Sequence, residues 1–351
     1  MHLSRRSLLA GAGAALLAPR RGHAQAVQAP VASGRTVTDG AGRVVPVPAK
    51  VTRVFPAGPP AAILLYTLAP DLLIGWPRAH RADECVYMLP DVCMRPAVGR
   101  ITGRGNTANL ETVLALKPDL ILDIGSVNDT YISLADRVQQ QTGIPYALLD
   151  GRFDRTTDAY TALGRLIGRE AAGAAHADYC NKTLATITSR IADVPRERRP
   201  RLYYARGPRG LQTGGKGSIN VETAELLARN VADELPGGLA NVSLEQVLLW
   251  DPDVIVTIDR DFAASVRNDP TWRPVRAVRE GRVFLSPSAP FGWIDFPPSV
   301  NRMIGLWWLA KILYPEKFAE DMTALTRDFY ARFYHVTPTD AQIAQILTGA
   351  A

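Results

Sequence analysis

The sequence predicts an α/β protein with two parallel-sheet lobes that are bridged by one long α-helix. Short apolar runs alternate with helical segments on both sides of the middle of the chain, which is typical of parallel sheets. One helix–strand unit occurs twice, as "NLETVLALKPDLIL" from Asn109 and as "SLEQVLLWDPDVIV" from Ser243. Between the two halves lies an alanine-rich stretch with no strand run, and this composition indicates helix.

The first 26 residues have the pattern of an export signal. Arg5 and Arg6 precede a short apolar run over residues 8–18, and residues 24–26 read Ala-Gln-Ala, which suits cleavage near Ala26. The stretch "SRRSLL" resembles a twin-arginine signal, and a signal of the general secretory route is the alternative. Because no cysteine lies at the cleavage point, we expect no lipid anchor and a mature protein that is free in the periplasm.

The net charge depends on this signal. The signal contains four arginines and no acid, so its removal lowers the formal charge of the chain from +6 to +2. A nearly neutral mature chain argues against nucleic acid as a partner. The remaining length is enough for two ordinary domains.

The elements of the first lobe follow in order. "RTVTDGAGRVVPVPAKVTRVF" predicts a β-hairpin and a further strand, "PPAAILLYTLAP" a helix, and "DLLIGW" a short buried strand. Residues 77–108 read as irregular. The first copy of the repeat, a helix over about 129–142 and the strand "IPYALLD" complete the lobe.

The connecting segment and the second lobe follow. Residues 153–194 have apolar positions at helical spacing and predict one long helix, or two joined in line, that ends at Pro195. Strands "RLYYARG" and "GRVFLSPS", helix "INVETAELLARN" and the second copy of the repeat form the second lobe. We therefore expect a signal at 1–26, a flexible leader at 27–35, lobes at 36–152 and 197–351, and an interlobe helix at 153–196.

Several stretches, in order, carry a resemblance to a known family. They are "TVTDGAGRVVPVPAKVTRVF", the two repeat copies, "DPTWRPVRAVREGRVFLSP" and "NRMIGLWWLAKILYP". With them, the whole mature chain resembles the periplasmic substrate-binding proteins of ABC importers for iron–siderophore, heme, cobalamin and related metal chelates. The resemblance implies two lobes joined by one rigid helix, a ligand in the cleft between them and an ABC permease as partner. We expect a monomer.

The resemblance also assigns a role to the repeat. In this family each lobe presents a glutamate that docks on arginines of the permease, and Glu111 and Glu245 occupy those positions. Asn109 and Ser243 are good N-cap residues, which places each glutamate in an exposed first helical turn. The alternative is that the glutamates only complement the helix dipole.

In the first lobe, the candidate ligand contacts lie in the loop after "DLLIGW". They are Trp76, Arg78, His80 and Arg81, with Tyr87 and Met88 as weaker candidates. Arginine pairs with carboxylates through two parallel hydrogen bonds and stacks on rings, so this loop suits a flat or anionic chelate. A solvated basic loop is the alternative.

In the second lobe, "ARGPRGLQTGGKGS" predicts an anion-binding loop. The candidate contacts are Arg206, Arg209, Thr213, Lys216 and Ser218. Glycines let backbone N–H groups approach an anion. The stretch nearly matches a phosphate loop, but Gly217 replaces the required Ser or Thr, so a nucleotide site is not expected. Trp293 is a further candidate contact, and core packing is its alternative; a mobile surface loop is the alternative for the others.

The histidines and cysteines narrow the ligand class. The mature chain has His80, His176 and His335 in separate elements, which disfavours a site for bare metal, and disfavours an axial histidine on heme except through His80. Cys85 and Cys93 either form a disulfide or are two buried thiols. Cys180 is expected in the core.

The functional prediction is a non-enzymatic protein that needs no cofactor. It captures an iron–siderophore or similar metal chelate for an importer. An oxyanion such as molybdate or tungstate is the first alternative ligand, followed by cobalamin or heme. A periplasmic hydrolase is a remote alternative, because no nucleophile motif appears.

Overall fold

The described part of this computed structural model covers residues 34–103 and 107–349. The predicted export signal and residues 27–33 of the predicted leader lie outside it. The described chain begins with an antiparallel hairpin of β1 (Arg35–Thr38) and β2 (Val44–Val47). The buried Asp39 carboxylate in the turn accepts hydrogen bonds from the N–H groups of Arg43 and Leu148, which ties the hairpin to the first lobe.

The first lobe has a three-stranded parallel sheet in the order β3-β4-β5. Its strands are β3 (Val54–Pro56), β4 (Leu120–Gly125) and β5 (Tyr146–Asp150). Its helices are α1 (Pro59–Leu68), α2 (Ala82–Cys85), α3 (Pro90–Cys93), α4 (Leu110–Ala115) and α5 (Asp129–Thr142). The predicted strand "DLLIGW" is wrong: a 3₁₀ turn at Pro70–Leu72 is followed only by isolated bridges at Leu73 and Trp76.

The connecting segment is a helical hairpin that differs from the prediction. A 3₁₀ turn at Phe153–Arg155 leads into α6 (Thr156–Ile167), which is followed by α7 (Glu170–Arg190). Gly168 lies between them with φ +70°, and the two helices fold back on each other instead of continuing in line. A Cβ at Gly173 would lie 2.6 Å from the Tyr160 carbonyl oxygen, so glycine permits this close packing.

Helix α7 is the long helix that connects the lobes. Near its start, His176 donates a hydrogen bond from Nε2 to the Thr67 carbonyl of the first lobe, at 2.9 Å. At its end, the Arg190 guanidinium pairs with Glu320, at 2.5 Å. A 3₁₀ turn at Arg196–Arg198 then leads into the second lobe. The predicted single bridging helix is therefore α7, while α6 packs beside it.

The second lobe has a four-stranded parallel sheet in the order β11-β10-β6-β8, and a separate antiparallel pair of β7 and β9. The strands are β6 (Arg201–Ala205), β7 (Gln212–Gly214), β8 (Arg229–Asn230), β9 (Leu239–Asn241), β10 (Val254–Thr257) and β11 (Val283–Leu285). The helices are α8 (Glu222–Leu227), α9 (Leu244–Trp250), α10 (Arg260–Ser265) and α11 (Arg276–Arg279). The predicted parallel-sheet α/β class is confirmed in both lobes.

The C-terminal helices pack across both lobes. They are α12 (Asn301–Leu313), α13 (Met322–Phe329), a π-helical turn at Tyr330–Tyr334 and α14 (Asp340–Leu347). One continuous hydrophobic core includes residues of both sheets together with α1, α6, α7 and α12. The lobes therefore share a core behind the cleft.

Tyr66, on α1, makes the central polar contact of this shared core. Its buried hydroxyl donates a hydrogen bond to the Tyr334 carbonyl, at 2.9 Å, and accepts one from the Leu89 N–H, at 2.8 Å. Its ring lies 5.5 Å from that of Trp76 and 5.9 Å from that of Tyr334. Nearby, Cys85 and Cys93 form a disulfide, and Cys180 is a buried free thiol.

We predict that Tyr66→Phe lowers the free energy of unfolding by about 1–3 kcal/mol, because the buried Tyr334 carbonyl and the partly buried Leu89 N–H lose their common partner. Urea denaturation measures the loss. Tyr87→Phe is the matched control, since Tyr87 is also buried and keeps its ring contact with Tyr330 when its hydroxyl is removed. Equal stability of the Tyr66 variant and the parent would contradict the bridging role.

Candidate functional site

A cleft of about 760 Å³ lies between the lobes. The first lobe lines it with residues from 59–63 and 76–84 and with Arg100 and Thr107, and the second lobe with residues from 258–260 and 288–297. The segments at 59–63, 258–260 and 288–297 follow the carboxyl ends of β3, β10 and β11. This is the edge at which parallel α/β sheets bind ligands.

Glu84 organises the wall of the cleft that the first lobe provides. Its carboxylate accepts hydrogen bonds from Arg78 at 2.6 and 3.0 Å, from the Arg81 N–H at 2.9 Å, and lies 3.0 Å from His80 Nδ1. Burial by itself raises the pKa of Glu84, but the hydrogen bonds from these partners outweigh it and lower the pKa to about 2. Glu84 is therefore ionised at every pH near neutrality.

His80 is held between aromatic rings from both lobes. Its ring centroid is 4.5 Å from that of Trp76 in an edge-to-face arrangement, and 5.6 Å from that of Phe291. Burial lowers the pKa of His80 below its usual value, and the contact with Glu84 offsets only part of this effect. The imidazole is consequently neutral near pH 7.

Asp295 occupies the opposite wall. It is almost completely buried, lines the cleft, and accepts hydrogen bonds from the Tyr204 hydroxyl at 3.1 Å and the Asn220 amide at 2.8 Å. Arg206 forms an ion pair with the same carboxylate. Phe296, at the rim, is 70% exposed and faces the Arg206 guanidinium across 5.8 Å. This wall thus combines a buried acid with an exposed aromatic ring.

The structure brings four of the candidate contacts from the first lobe together in the cleft. Trp76, Arg78, His80 and Arg81 all line it. Trp76 presents only its ring, because its Nε1 donates to the Val92 carbonyl at 2.8 Å. The two weaker candidates lie elsewhere, since Tyr87 and Met88 are buried in the hydrophobic core.

The glycine-rich loop of the second lobe does not line the cleft. Its glycines permit close packing instead of approach to an anion: a Cβ at Gly215 would lie 2.2 Å from the Pro236 carbonyl oxygen, and one at Gly210 would meet the Phe262 ring. The candidates are distributed accordingly. Thr213 and Ser218 are buried away from the cleft, Arg209 and Lys216 are exposed away from it, and Arg206 is buried behind Asp295.

The loop "APFGWIDFPPS" contributes different residues from the one predicted. Trp293 is completely buried in the core, whereas Phe291, Asp295 and Phe296 line the cleft. Glu84 and Arg260 also line it and were not predicted. The one available signal for Glu84 was its position four residues after His80, the spacing at which helical side chains meet.

The two repeated glutamates have matching surroundings. Asn109 and Ser243 cap their helices by accepting hydrogen bonds from the Thr112 and Gln246 N–H groups, at 2.7 and 3.2 Å. Glu111 and Glu245 are exposed in the first turns of α4 and α9. Hydrogen bonds from its own N–H and from Ser243 lower the pKa of Glu245. The predicted N-caps and the predicted exposure of both glutamates are confirmed. Their docking on a permease stays a prediction.

Neither a metal-binding cluster nor a membrane-spanning helix occurs within residues 34–103 and 107–349. Within these ranges, no group of three or more His, Cys, Asp or Glu residues is placed to hold a metal ion. Over the same ranges, no helix has both the length and the apolar composition required to cross a bilayer.

The fold and the interlobe cleft define a two-lobed solute-binding protein. Residues 96–290 match the model of the periplasmic binding protein family, and the chain belongs to that family. Its members and its structural neighbours are substrate-binding proteins, and the role of this chain is substrate binding for an ABC transporter. The predicted family and general role are confirmed.

Three similar proteins illustrate the range of the family. The molybdate-binding protein MolA of Haemophilus influenzae is 29% identical over 66% of this chain and 71% of its own length. A cobalamin-binding protein of Halobacterium salinarum is 27% identical over 79% of this chain and 74% of its own. The structure of an ABC transporter solute-binding protein from Sulfurospirillum deleyianum superposes with a TM-score of 0.81 at 28% identity, covering 89% of this chain and 98% of that one.

We predict that Glu84→Gln lowers the pKa of His80 further, because the carboxylate contact that raises it is lost while burial remains. Titration of the imidazole Cε1–H resonance by NMR measures this change. His176, whose pKa is lowered by burial and does not depend on Glu84, is the internal reference. A higher or unchanged His80 pKa would show that the two side chains do not interact.

Proposed function

We propose that this protein captures an anionic metal chelate in the interlobe cleft and delivers it, unchanged, to an ABC permease. The observation that carries the proposal is the cleft itself. Its volume of about 760 Å³ lies in the range of about 300–1,000 Å³ that is usual for small-molecule sites. Four arginines line it, Arg78, Arg81, Arg100 and Arg260, together with aromatic rings. Carboxylate groups of a chelate suit the arginines, and its apolar parts suit the rings.

The absence of a metal cage among the described residues supports a metal that arrives already bound by a chelator. An iron–siderophore is the first candidate, and cobalamin or heme belongs to the same chemical class. We further propose that the protein acts as a monomer and without catalysis.

An oxyanion such as molybdate or tungstate is the second candidate ligand. The similarity to the molybdate-binding protein MolA favours it, and the arginines of the cleft suit any anion. A tetrahedral oxyanion fills only a small part of a cleft of about 760 Å³, however, and makes no use of the aromatic walls. We therefore place it after the chelates.

Thermal-shift screening against ferric citrate, hemin, aquocobalamin and molybdate separates these ligand classes. A ligand at 100 times its Kd adds about 2.7 kcal/mol to the free energy of unfolding. Stabilisation by a chelate supports the proposal. Stabilisation by molybdate alone would replace it with the second candidate. Recovery of a chemically altered ligand would indicate an enzyme.

We predict that Arg78→Ala weakens binding of the chelate found in this screen by about 1.5–3 kcal/mol, the range for hydrogen bonds to charged groups. Arg78→Lys restores only part of the affinity, because lysine cannot form two parallel hydrogen bonds. Isothermal titration calorimetry measures both. Arg196→Ala is the control, since Arg196 is exposed, pairs with Asp233 and lies outside the cleft. Equal affinities of all variants would move the ligand away from Arg78.

We propose that Glu111 and Glu245 dock the protein on the permease, one from each lobe. The matched placement of the two glutamates supports this docking role. Both are exposed, both lie in a capped first helical turn, and the two helices are copies of one sequence unit. We also propose that the lobes comprise residues 36–152 and 197–351, so that each contributes one anchor. We infer that the shared core limits how far their separation can change.

We predict that the double variant Glu111→Arg with Glu245→Arg abolishes ligand uptake in cells but keeps ligand affinity within a factor of about two. Each anchor then meets a like charge on the permease, whereas exposed substitutions usually change stability by less than about 0.5 kcal/mol. Uptake of radiolabelled ligand and calorimetry measure the two effects. Glu197→Arg with Glu316→Arg changes the net charge equally at two other exposed sites and is the control. Normal uptake by the first double variant would leave the glutamates with only a favourable interaction with the helix dipole.

We propose that residues 1–26 form a twin-arginine export signal that is cleaved near Ala26. The support is the sequence itself, with Arg5 and Arg6 directly before the apolar run. We predict that lysine at both positions stops export, and that the protein then accumulates uncleaved in the cytoplasm. Cell fractionation and mass spectrometry of the N-terminus check this. Unimpaired export of the variant would favour the general secretory route.

A further inference from the structure

We propose that each lobe docks on the permease through two side chains, a glutamate and an exposed leucine, and that each such pair binds one arginine of the permease. The pairs are Glu111 with Leu114 on α4 and Glu245 with Leu249 on α9. This inference rests on the proposed docking role of the two glutamates and deepens it. It defines the partner surface as an arginine whose guanidinium lies on the carboxylate and whose aliphatic stem lies on the leucine.

The two proposed docking helices each expose one large apolar side chain. Within residues 34–103 and 107–349, the exposed large apolar side chains are Val44, Val86, Met94, Leu114, Leu249 and Phe296. Helix α4 has six residues and α9 has seven, yet each contains one member of this small set. Leu114 is 45% exposed, and Leu249 is 79% exposed. A single exposed leucine is ordinary, but one beside each proposed anchor indicates a shared purpose.

Helical spacing places each leucine on the same face as its glutamate. Leu114 follows Glu111 by three positions, and Leu249 follows Glu245 by four. At these spacings side chains of neighbouring turns meet, with their Cβ atoms about 5–6 Å apart. The valine two positions after each glutamate is completely buried, so the core lies on the opposite face of each helix. One arginine side chain can therefore contact both members of a pair.

The exposed leucines do not follow simply from the repeated sequence. When the two copies are aligned on their glutamates, Leu114 matches Leu248, which is partly buried and packs against the core of the second lobe. Leu249 in turn matches Ala115. Each copy thus exposes a leucine one turn after its glutamate, but at a different position. A requirement for an apolar group beside the carboxylate explains this shift, whereas inheritance of one residue does not.

The two glutamates alone would bind a permease weakly. In the part of the chain that the structure describes, neither carboxylate forms an ion pair with a cationic side chain. An exposed ion pair usually strengthens binding by at most about fivefold, and two by at most about thirtyfold. A micromolar complex needs an association constant of about a million per molar. Burial of a leucine against the stem of the same arginine adds apolar contact and keeps water from the ion pair.

Site-specific photo-crosslinking identifies what covers the leucines. The photoreactive amino acid p-benzoylphenylalanine replaces Leu114, Leu249 or, as a control, Val44, which is equally exposed to solvent but lies in the hairpin strand β2. The mature protein is irradiated on spheroplasts of the cells that produce it. We expect both leucine positions to crosslink to the membrane-spanning subunit of one ABC transporter, at peptides that contain arginine. Mass spectrometry of the crosslinked peptides identifies them, and the control position should give no such product.

A double-mutant cycle tests whether the two side chains of a pair contact the same group. Binding of fluorescently labelled protein to the spheroplasts is measured for Glu111→Gln, for Leu114→Ser and for both together. We expect each single change to weaken binding at least threefold, and the combined loss to be smaller than the product of the single losses, because both side chains share one partner. Glu111→Gln with Leu249→Ser is the matched control from different lobes, and its losses should multiply. Val44→Ser with Met94→Ser should bind like the parent.

The outcomes distinguish this inference from the proposed docking role. If Glu111→Arg with Glu245→Arg abolishes binding, but the leucine variants bind like the parent and neither leucine position crosslinks to a permease, the glutamates act alone and the inference is wrong. If the charge reversal and the leucine variants all bind like the parent, the inference and the docking role both fail. Crosslinks from both leucine positions to one permease, with coupled losses within a pair, support both.

Two other occupants of the leucine surface would also overturn the inference. Crosslinks to lipid, together with equal binding of the parent to vesicles of phosphatidylethanolamine and phosphatidylglycerol, would assign Leu114 and Leu249 to the membrane surface. Crosslinked dimers, together with a dimer in analytical ultracentrifugation, would assign them to a second copy of this chain. The crosslinking result carries the test even if a serine variant does not fold.

Discussion

The hydrophobic core shared by the two lobes is the constraint on which the rest of the structure depends. Helix α1 links this core to the cleft, because its residues belong to both. Its first turns, with Pro59, Ala62 and Ile63, line the cleft, and its last turn carries Tyr66, which contacts the π-helical turn. A change in the orientation of the lobes must therefore disturb the buried Tyr66 contacts as well as the cleft. This coupling favours a cleft that is preformed and closes little on its ligand.

Ion pairs hold charged side chains of the cleft walls in place before a ligand binds. Arg78 is bound to Glu84 and Arg81 to Asp83 in the first lobe, and Arg206 is bound to Asp295 in the second. These pairs fix the positions of the guanidinium groups at low entropic cost to binding. They also make the local charge close to balanced, so an anionic ligand must compete with the carboxylates or use the remaining N–H groups. For the proposed anionic ligand, specific geometry would then matter more than net positive charge.

The sequence predicts the lobes well because their signals are local. The strands at Tyr146–Asp150 and Arg201–Ala205 and the helix at Asp129–Thr142 follow from apolar patterns, and the two capped glutamates follow from N-cap residues. The errors arise where distant contacts decide. Gly168 reverses the chain because α6 and α7 pack on each other, and the glycines near Gly215 are explained by Pro236, about twenty residues later. No local pattern distinguishes the buried Trp293 from Phe291 beside the cleft.

The proposed docking glutamates, Glu111 and Glu245, lie in helices of different lobes, and the lobes share one hydrophobic core. A docking surface that changes little on ligand binding would leave the cleft itself as the source of information about the ligand. The segment with Arg78, His80 and Glu84 is suited to this role, because it lines the cleft and the disulfide that begins at Cys85 restrains its far end. A ligand that contacts Arg78 would act on Glu84, and through Glu84 on the Arg81 backbone.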